Sequence, residues 1–83
     1  MFIKYLGNIH NLSEYRSIIK GGANDHSIQL LKDNDHFHSM EFRDTKARDY
    51  FLNYIWTEIE KNSTYFDIDK IIDVYYEAEK YNI

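Results

Sequence analysis

His36 and His38 are the first residues in this chain whose type and spacing suggest chemistry. In a strand, residues two apart face the same side, so both imidazoles could grip one metal ion. His26 on a neighbouring strand could add a third nitrogen, and Asp33 or Asp35 an oxygen, a set that zinc accepts. The same pair also reads as two surface histidines beside a turn with mild pH sensitivity. Nucleophilic catalysis finds less support. Ser13 lies near His10 and Ser39 beside His38, but neither serine has the glycine flanks of a nucleophile elbow. Gly21-Gly22 is not followed by the Gly-Lys-Thr run of a phosphate loop. Paired carboxylates are abundant, but nothing separates them from surface acids. A chain of 83 residues also has little volume in which to enclose a substrate. The expectation is therefore no enzymatic activity and no cofactor.

A different chemistry is written at the end of the chain. Eight residues are tyrosine, and most of them follow Thr45, beside carboxylates. Asp69, Asp73 and Glu77 succeed one another at helical spacing, with Tyr76 and Lys80 on the same strip. Carboxylates one turn apart repel by a few tenths of a kcal/mol, so a run of three marks a solvated face or a negative docking stripe. The docking reading pairs the stripe with an Arg- or Lys-rich patch, where an arginine could stack on Tyr76. Trp56, the single tryptophan, sits at the edge of an apolar stripe. It reads either as a core residue or as an exposed contact anchor.

Composition narrows the class. The formal charge is −4; acids and bases balance through residue 43, and most of the excess falls after residue 62. An acidic end argues against direct binding to a phosphate backbone but suits a basic protein partner, including one that handles nucleic acid. There is no cysteine, hence no disulfide and no thiolate metal site. No run of 18 apolar residues reads as a membrane span. Met1-Phe2-Ile3-Lys4 is not a basic segment leading into a long apolar run, so no signal peptide is expected and the cytoplasm is the expected compartment. A single domain over residues 1–83 is expected. Its core would be small enough that self-association, and with it a small-ligand or sequestering role, is a further reading.

The elements that would position these side chains follow from periodicity. Residues 2–6, 26–32 and 37–43 read as strands, and Asp33-Asn34-Asp35 reads as the turn between the last two. Residues 13–20 fit a strand or a short helix, with a narrow preference for strand. Residues 45–61 predict a helix capped by Asp44 or Thr45, with Phe51, Leu52, Ile55 and Ile59 on one face and Ala47 and Tyr54 beside them. A second helix is predicted from a cap at Asp67 to about residue 81. Its inner stripe would be Ile68, Ile71, Tyr75 and Ala78, with Val74 alongside. The fold expected is α+β, a three- or four-stranded antiparallel sheet with two C-terminal helices packed on one face.

Phe2-Ile3-Lys4-Tyr5-Leu6 resembles the start of a small type I anti-CRISPR protein, a match of five residues in 83. The resemblance implies a phage-encoded inhibitor without an enzymatic site that occupies a CRISPR surveillance complex. With the acidic-aromatic helix it frames the expected function: a small protein-binding module, of inhibitory or anti-defence type, meeting a larger and basic partner. The contacts expected are Asp69, Asp73, Tyr76 and Glu77, with Trp56 second.

Overall fold

Ile3 and Tyr5 alternate with exposed Phe2 and half-exposed Lys4, and this alternation builds the first strand, β1 (Phe2–Tyr5). A computed structural model describes residues 1–21, 25–33 and 36–81. After β1 come β2 (Asn8–Asn11), a 3₁₀ turn (Leu12–Glu14), β3 (Ser17–Lys20), β4 (Ser27–Leu31), β5 (Phe37–Glu41), helix α1 (Thr45–Glu60), β6 (Tyr65–Asp67) and helix α2 (Ile68–Lys80). The ambiguous segment before Gly21 is thus partitioned. Leu12–Glu14 forms the 3₁₀ turn, capped by the Asn11 side chain on the Ser13 N–H, and Ser17–Lys20 forms a strand. Asn34 and Asp35 of the expected turn, and Gly22, Ala23 and Asn24, lie outside the described residues.

The class is α+β, and the strands divide between two three-stranded sheets. One has the order β3-β4-β5 and is antiparallel throughout, as the sequence suggested. The other has the order β2-β1-β6, with β6 parallel to β1. β6 is three residues long, too short to show a periodicity. It exists because β1 offers it an open edge: Phe2 N–H donates to the Thr64 carbonyl at 2.8 Å, and Phe66 buries its ring.

The hinge between β1 and β2 is a two-residue turn at Leu6 and Gly7, both with positive φ (49° and 78°). This is the conformation of a type I′ hairpin turn, which matches strand twist but favours Asn-Gly or Asp-Gly. Glycine takes it freely; a leucine there costs about 1 kcal/mol.

α1 forms as its pattern dictates. Asp44 caps it by accepting from the Ala47 N–H at 2.8 Å. Ala47, Phe51, Leu52 and Ile55 are buried in the core with Ile28, Leu30, Met40 and Phe42. Each large apolar side chain buried in this way contributes about 1.5–3 kcal/mol. Ile59, expected on the same face, is 39% exposed and borders a cleft with Met1, Leu12 and Tyr15. The helix stops at Asn62, whose φ of 58° reverses the chain; asparagine tolerates this left-handed state. Arg48, unremarked in the sequence, is buried. Its guanidinium donates to the Asp25 carbonyl at 2.7 Å and to the Asp49 carboxylate at 2.8 Å, tying α1 to the segment before β4.

α1 makes its sheet contacts with β3 and β4, whereas α2 lies against β1. Asp67 caps α2 on the Lys70 N–H. Among the described residues no helix is long and apolar enough to cross a membrane.

Candidate functional site

α2 determines which of the expected contact residues reach solvent, and it is rotated from the predicted orientation. Ile68 is buried, and Ile71, Ile72, Tyr75 and Tyr76 pack against the core. Val74 is 65% exposed, and Ala78 is exposed with it. The inner stripe is therefore corrected: Ile72 and Tyr76 take the places predicted for Val74 and Ala78. The reason is both steric and polar. A tyrosine ring and an isoleucine bury more apolar area than a valine and an alanine, and the Tyr76 hydroxyl has a backbone partner. It accepts from the Arg43 N–H at 3.0 Å, while the Arg43 guanidinium lies 4.4 Å from the ring centroid. The cation over Tyr76 that the sequence assigned to a partner is thus supplied by the chain itself.

Asp69 is also turned to an internal task. Its two carboxylate oxygens accept from the backbone N–H groups of Leu6 and Gly7 at 2.6 and 2.9 Å. Successive N–H groups in a left-handed turn form a concavity for an anion, and Asp69 fills it. A turn whose first residue is wrong for its conformation is held by a carboxylate from the other end of the chain. Its only sequence signal was glycine after a short alternating run.

Asp73 and Glu77 do face outward. With Val74, Ala78 and Tyr81 they line a shallow hollow of about 440 Å³. Tyr81 is 80% exposed. Glu77 lies 3.4 Å from the Lys80 ammonium, while no hydrogen bond or ion pair engages Asp73 among the described residues. Two residues on, about half a turn, Glu79 faces back and accepts from Lys46 at 3.2 Å; that carboxylate raises the Lys46 pKa. Of the expected stripe, two carboxylates form a surface; Asp69 and Tyr76 do not join them.

Trp56 is half exposed and lies on a separate face. It stands between two adjoining clefts of about 390 and 460 Å³ that run between α1 and β3.

The histidines are arranged otherwise than predicted. His36 precedes β5, and its Nδ1 lies 2.9 Å from Asp33. His38 is within β5, and its ring lies 4.4 Å from that of His10 on β2, so the imidazoles meet where the two sheets adjoin. Both Nε2 atoms are buried without a hydrogen-bond partner among the described residues. Burial, and then the neighbouring His10, push the His38 pKa down. Among the described residues no group of three or more histidines or carboxylates is placed to hold a metal ion; Asp35 lies outside them.

The remaining tyrosines explain much of the aromatic content. Tyr5 is buried, and its hydroxyl both donates to the Glu41 carbonyl and accepts from the Glu41 N–H, each at 2.9 Å. It thereby completes an edge of β5 from the neighbouring sheet; burial raises its pKa. Tyr50 and Tyr75 pack ring to ring at 4.6 Å and bridge the two helices. No family model matches this chain, and no curated protein or solved structure shows significant similarity to it.

Two outcomes follow from this geometry. Asp69→Ala removes a carboxylate from two N–H donors and is expected to cost about 1–2 kcal/mol, a fall in Tm of about 4–8 °C per kcal/mol. Leu6→Asn should recover part of that loss, because asparagine accepts the left-handed conformation. An unchanged melting curve for Asp69→Ala would show that the tether contributes nothing. The second concerns pH. His38 is harder to protonate folded than unfolded, so the folded state binds fewer protons and stability falls as pH drops below the unfolded value of 6.5. Urea midpoints between pH 7 and 5 should decline for the wild type and more shallowly for His38→Gln; parallel profiles would contradict this.

Proposed function

We propose that the chain is a non-enzymatic binding protein that docks the outer face of α2 on a basic, partly apolar surface of a larger protein. The observation that carries this reading is Asp73, a carboxylate without a partner among the described residues, beside exposed Val74 and Tyr81 and with Glu77 one helical turn away. Two acids rimming apolar side chains form a small complement to a surface with spaced Lys or Arg around a hydrophobic spot. The charges steer the encounter and select the partner, while the apolar centre supplies contact area. The contact differs from the stripe read in the sequence. It loses Asp69 and Tyr76 and gains Val74 and Tyr81.

In its finer form, the partner handles nucleic acid in the cytoplasm, and the chain inhibits it. Asp73 and Glu77 then engage the Arg and Lys side chains that otherwise meet phosphate. A patch of this size makes a modest contact that weakens as salt rises.

The test is a photo-crosslinking amino acid at position 74 in living cells, with mass spectrometry to identify the adduct. The expected result is one dominant partner, linked at a Lys- or Arg-rich surface. Purified, that partner should bind Asp73→Lys/Glu77→Lys at least tenfold more weakly than the wild type. Equal binding by both would remove α2 as the contact.

A further inference from the structure

β3 is an edge strand. Among the described residues only β4 pairs with it, and in the sheet order no strand lies on its other side. Edge strands present a row of backbone donors and acceptors on which another chain can add a strand, and most proteins blunt such edges with charge, bulges or a covering element. Here the edge runs along an apolar groove. The two clefts beside Trp56 are both lined by residues of the β3 segment and of α1, including Tyr15, Ile18, Ile19, Leu52 and Ile59. Ile18 and Trp56 border both, so the clefts form one continuous channel along the strand. Trp56 is 46% exposed and Ile19 42%, and both line the same cleft, so their apolar surfaces adjoin. At about 3.3 Å per residue, four residues of β3 give an edge of roughly 13 Å, enough for a short extended segment.

Charge identifies the occupant. Lys20, at the end of β3 and lining the second cleft, is exposed and has no hydrogen bond or ion pair among the described residues. Arg16 lines the other cleft. The one carboxylate on the channel wall, Asp49, is matched by the Arg48 guanidinium at 2.8 Å. Lys20 therefore meets no carboxylate among the described residues of the channel wall. A second copy of this chain fits poorly: antiparallel self-pairing centred on Ile18, which keeps the core-facing side of both copies on one face, sets Lys20 of each copy directly opposite Arg16 of the other and brings like charges together. An extended segment of another protein with alternating apolar side chains and carboxylates meets every feature at once.

We infer that the β3 edge and the Trp56 channel form a second docking site, which takes an extended acidic-apolar peptide segment by strand addition. This site is separate from the α2 surface, shares no lining residue with its hollow, and has the opposite charge preference. Main-chain pairing gives affinity without sequence demand, the channel admits alternate apolar side chains, and Lys20 sets the register by meeting a carboxylate. A protein with both surfaces joins a basic partner to an acidic segment.

The experiment uses a phage-displayed library of random nine-residue peptides selected on the immobilised full chain. Enriched sequences should alternate apolar residues with Asp or Glu. A synthetic peptide of the leading sequence should blue-shift the emission of Trp56, the sole tryptophan, and slow amide exchange along β3. Lys20→Glu, an exposed change that leaves the core intact, should weaken that peptide at least tenfold, and a peptide with its carboxylates changed to lysine should regain binding to the variant. Sedimentation of the chain alone should show no dimer that Lys20→Asp alters. Enrichment of basic or helix-periodic sequences, no enrichment over an unrelated protein, an unmoved Trp56 spectrum with bound peptide, or a dimer through β3 would each overturn the inference. None of these readouts involves Asp73 or Glu77, so its failure leaves the α2 reading standing.

Discussion

The setting of α2 against the rest of the chain depends on polar tethers made by side chains that sequence patterning places on its surface. The Asp69 carboxylate closes over the Leu6-Gly7 turn, the Tyr76 hydroxyl takes the Arg43 N–H, and Glu79 meets Lys46. Burial alone fixes this helix weakly, since Ile68 is its one fully buried residue. The tethers fix its rotation. Once they are made, Asp73, Val74, Glu77, Ala78 and Tyr81 have only the outward direction left. A charged residue on a small domain can therefore be structural without being buried: the successive N–H groups of a left-handed turn form a concavity that suits a carboxylate.

Tyrosine serves the same economy. A chain with no cysteine and no proline lacks disulfides and rigid turns. Tyr5 and Tyr76 each pack a ring on the core and complete a backbone group, at Glu41 and Arg43, on a neighbouring segment. The two sheets are joined partly by the Tyr5 hydroxyl at Glu41 and partly by the His10–His38 contact. The aromatic content that first suggested a contact surface is largely internal mortar, and only Tyr50, Tyr65 and Tyr81 among the tyrosines are exposed.

The helix caps and the core face of α1 were legible in the sequence because they rest on local rules: Asp44 and Asp67 as caps, and Phe51, Leu52 and Ile55 at helical spacing. The β4–β5 pair was legible for the same reason. What eluded sequence reasoning was non-local. β6 exists because β1 has a free edge more than 60 positions away, and Asp69 turns inward because a leucine occupies the wrong place in a distant hairpin. The His38 partner was sought two residues away and lies on another strand. Trp56 was half read: the edge of the apolar stripe was visible, but the channel it borders requires β3, which only folding brings alongside. Two surfaces of opposite preference result, an acidic one on α2 and a cationic, apolar one at the β3 edge. The first rests on acids left over after the internal ones are engaged, the second on a strand edge left open.

The tethering of α2 is tested most directly by amide hydrogen exchange at Leu6, Gly7 and Arg43 in the native protein. All three N–H groups lie in exposed connecting segments outside the strands and helices, where exchange is ordinarily fast. The account predicts slow exchange at all three, approaching that of core amides in β1. Exchange at the rate of an unstructured loop would show that α2 is held by its apolar face alone and that the outward set of side chains is not fixed.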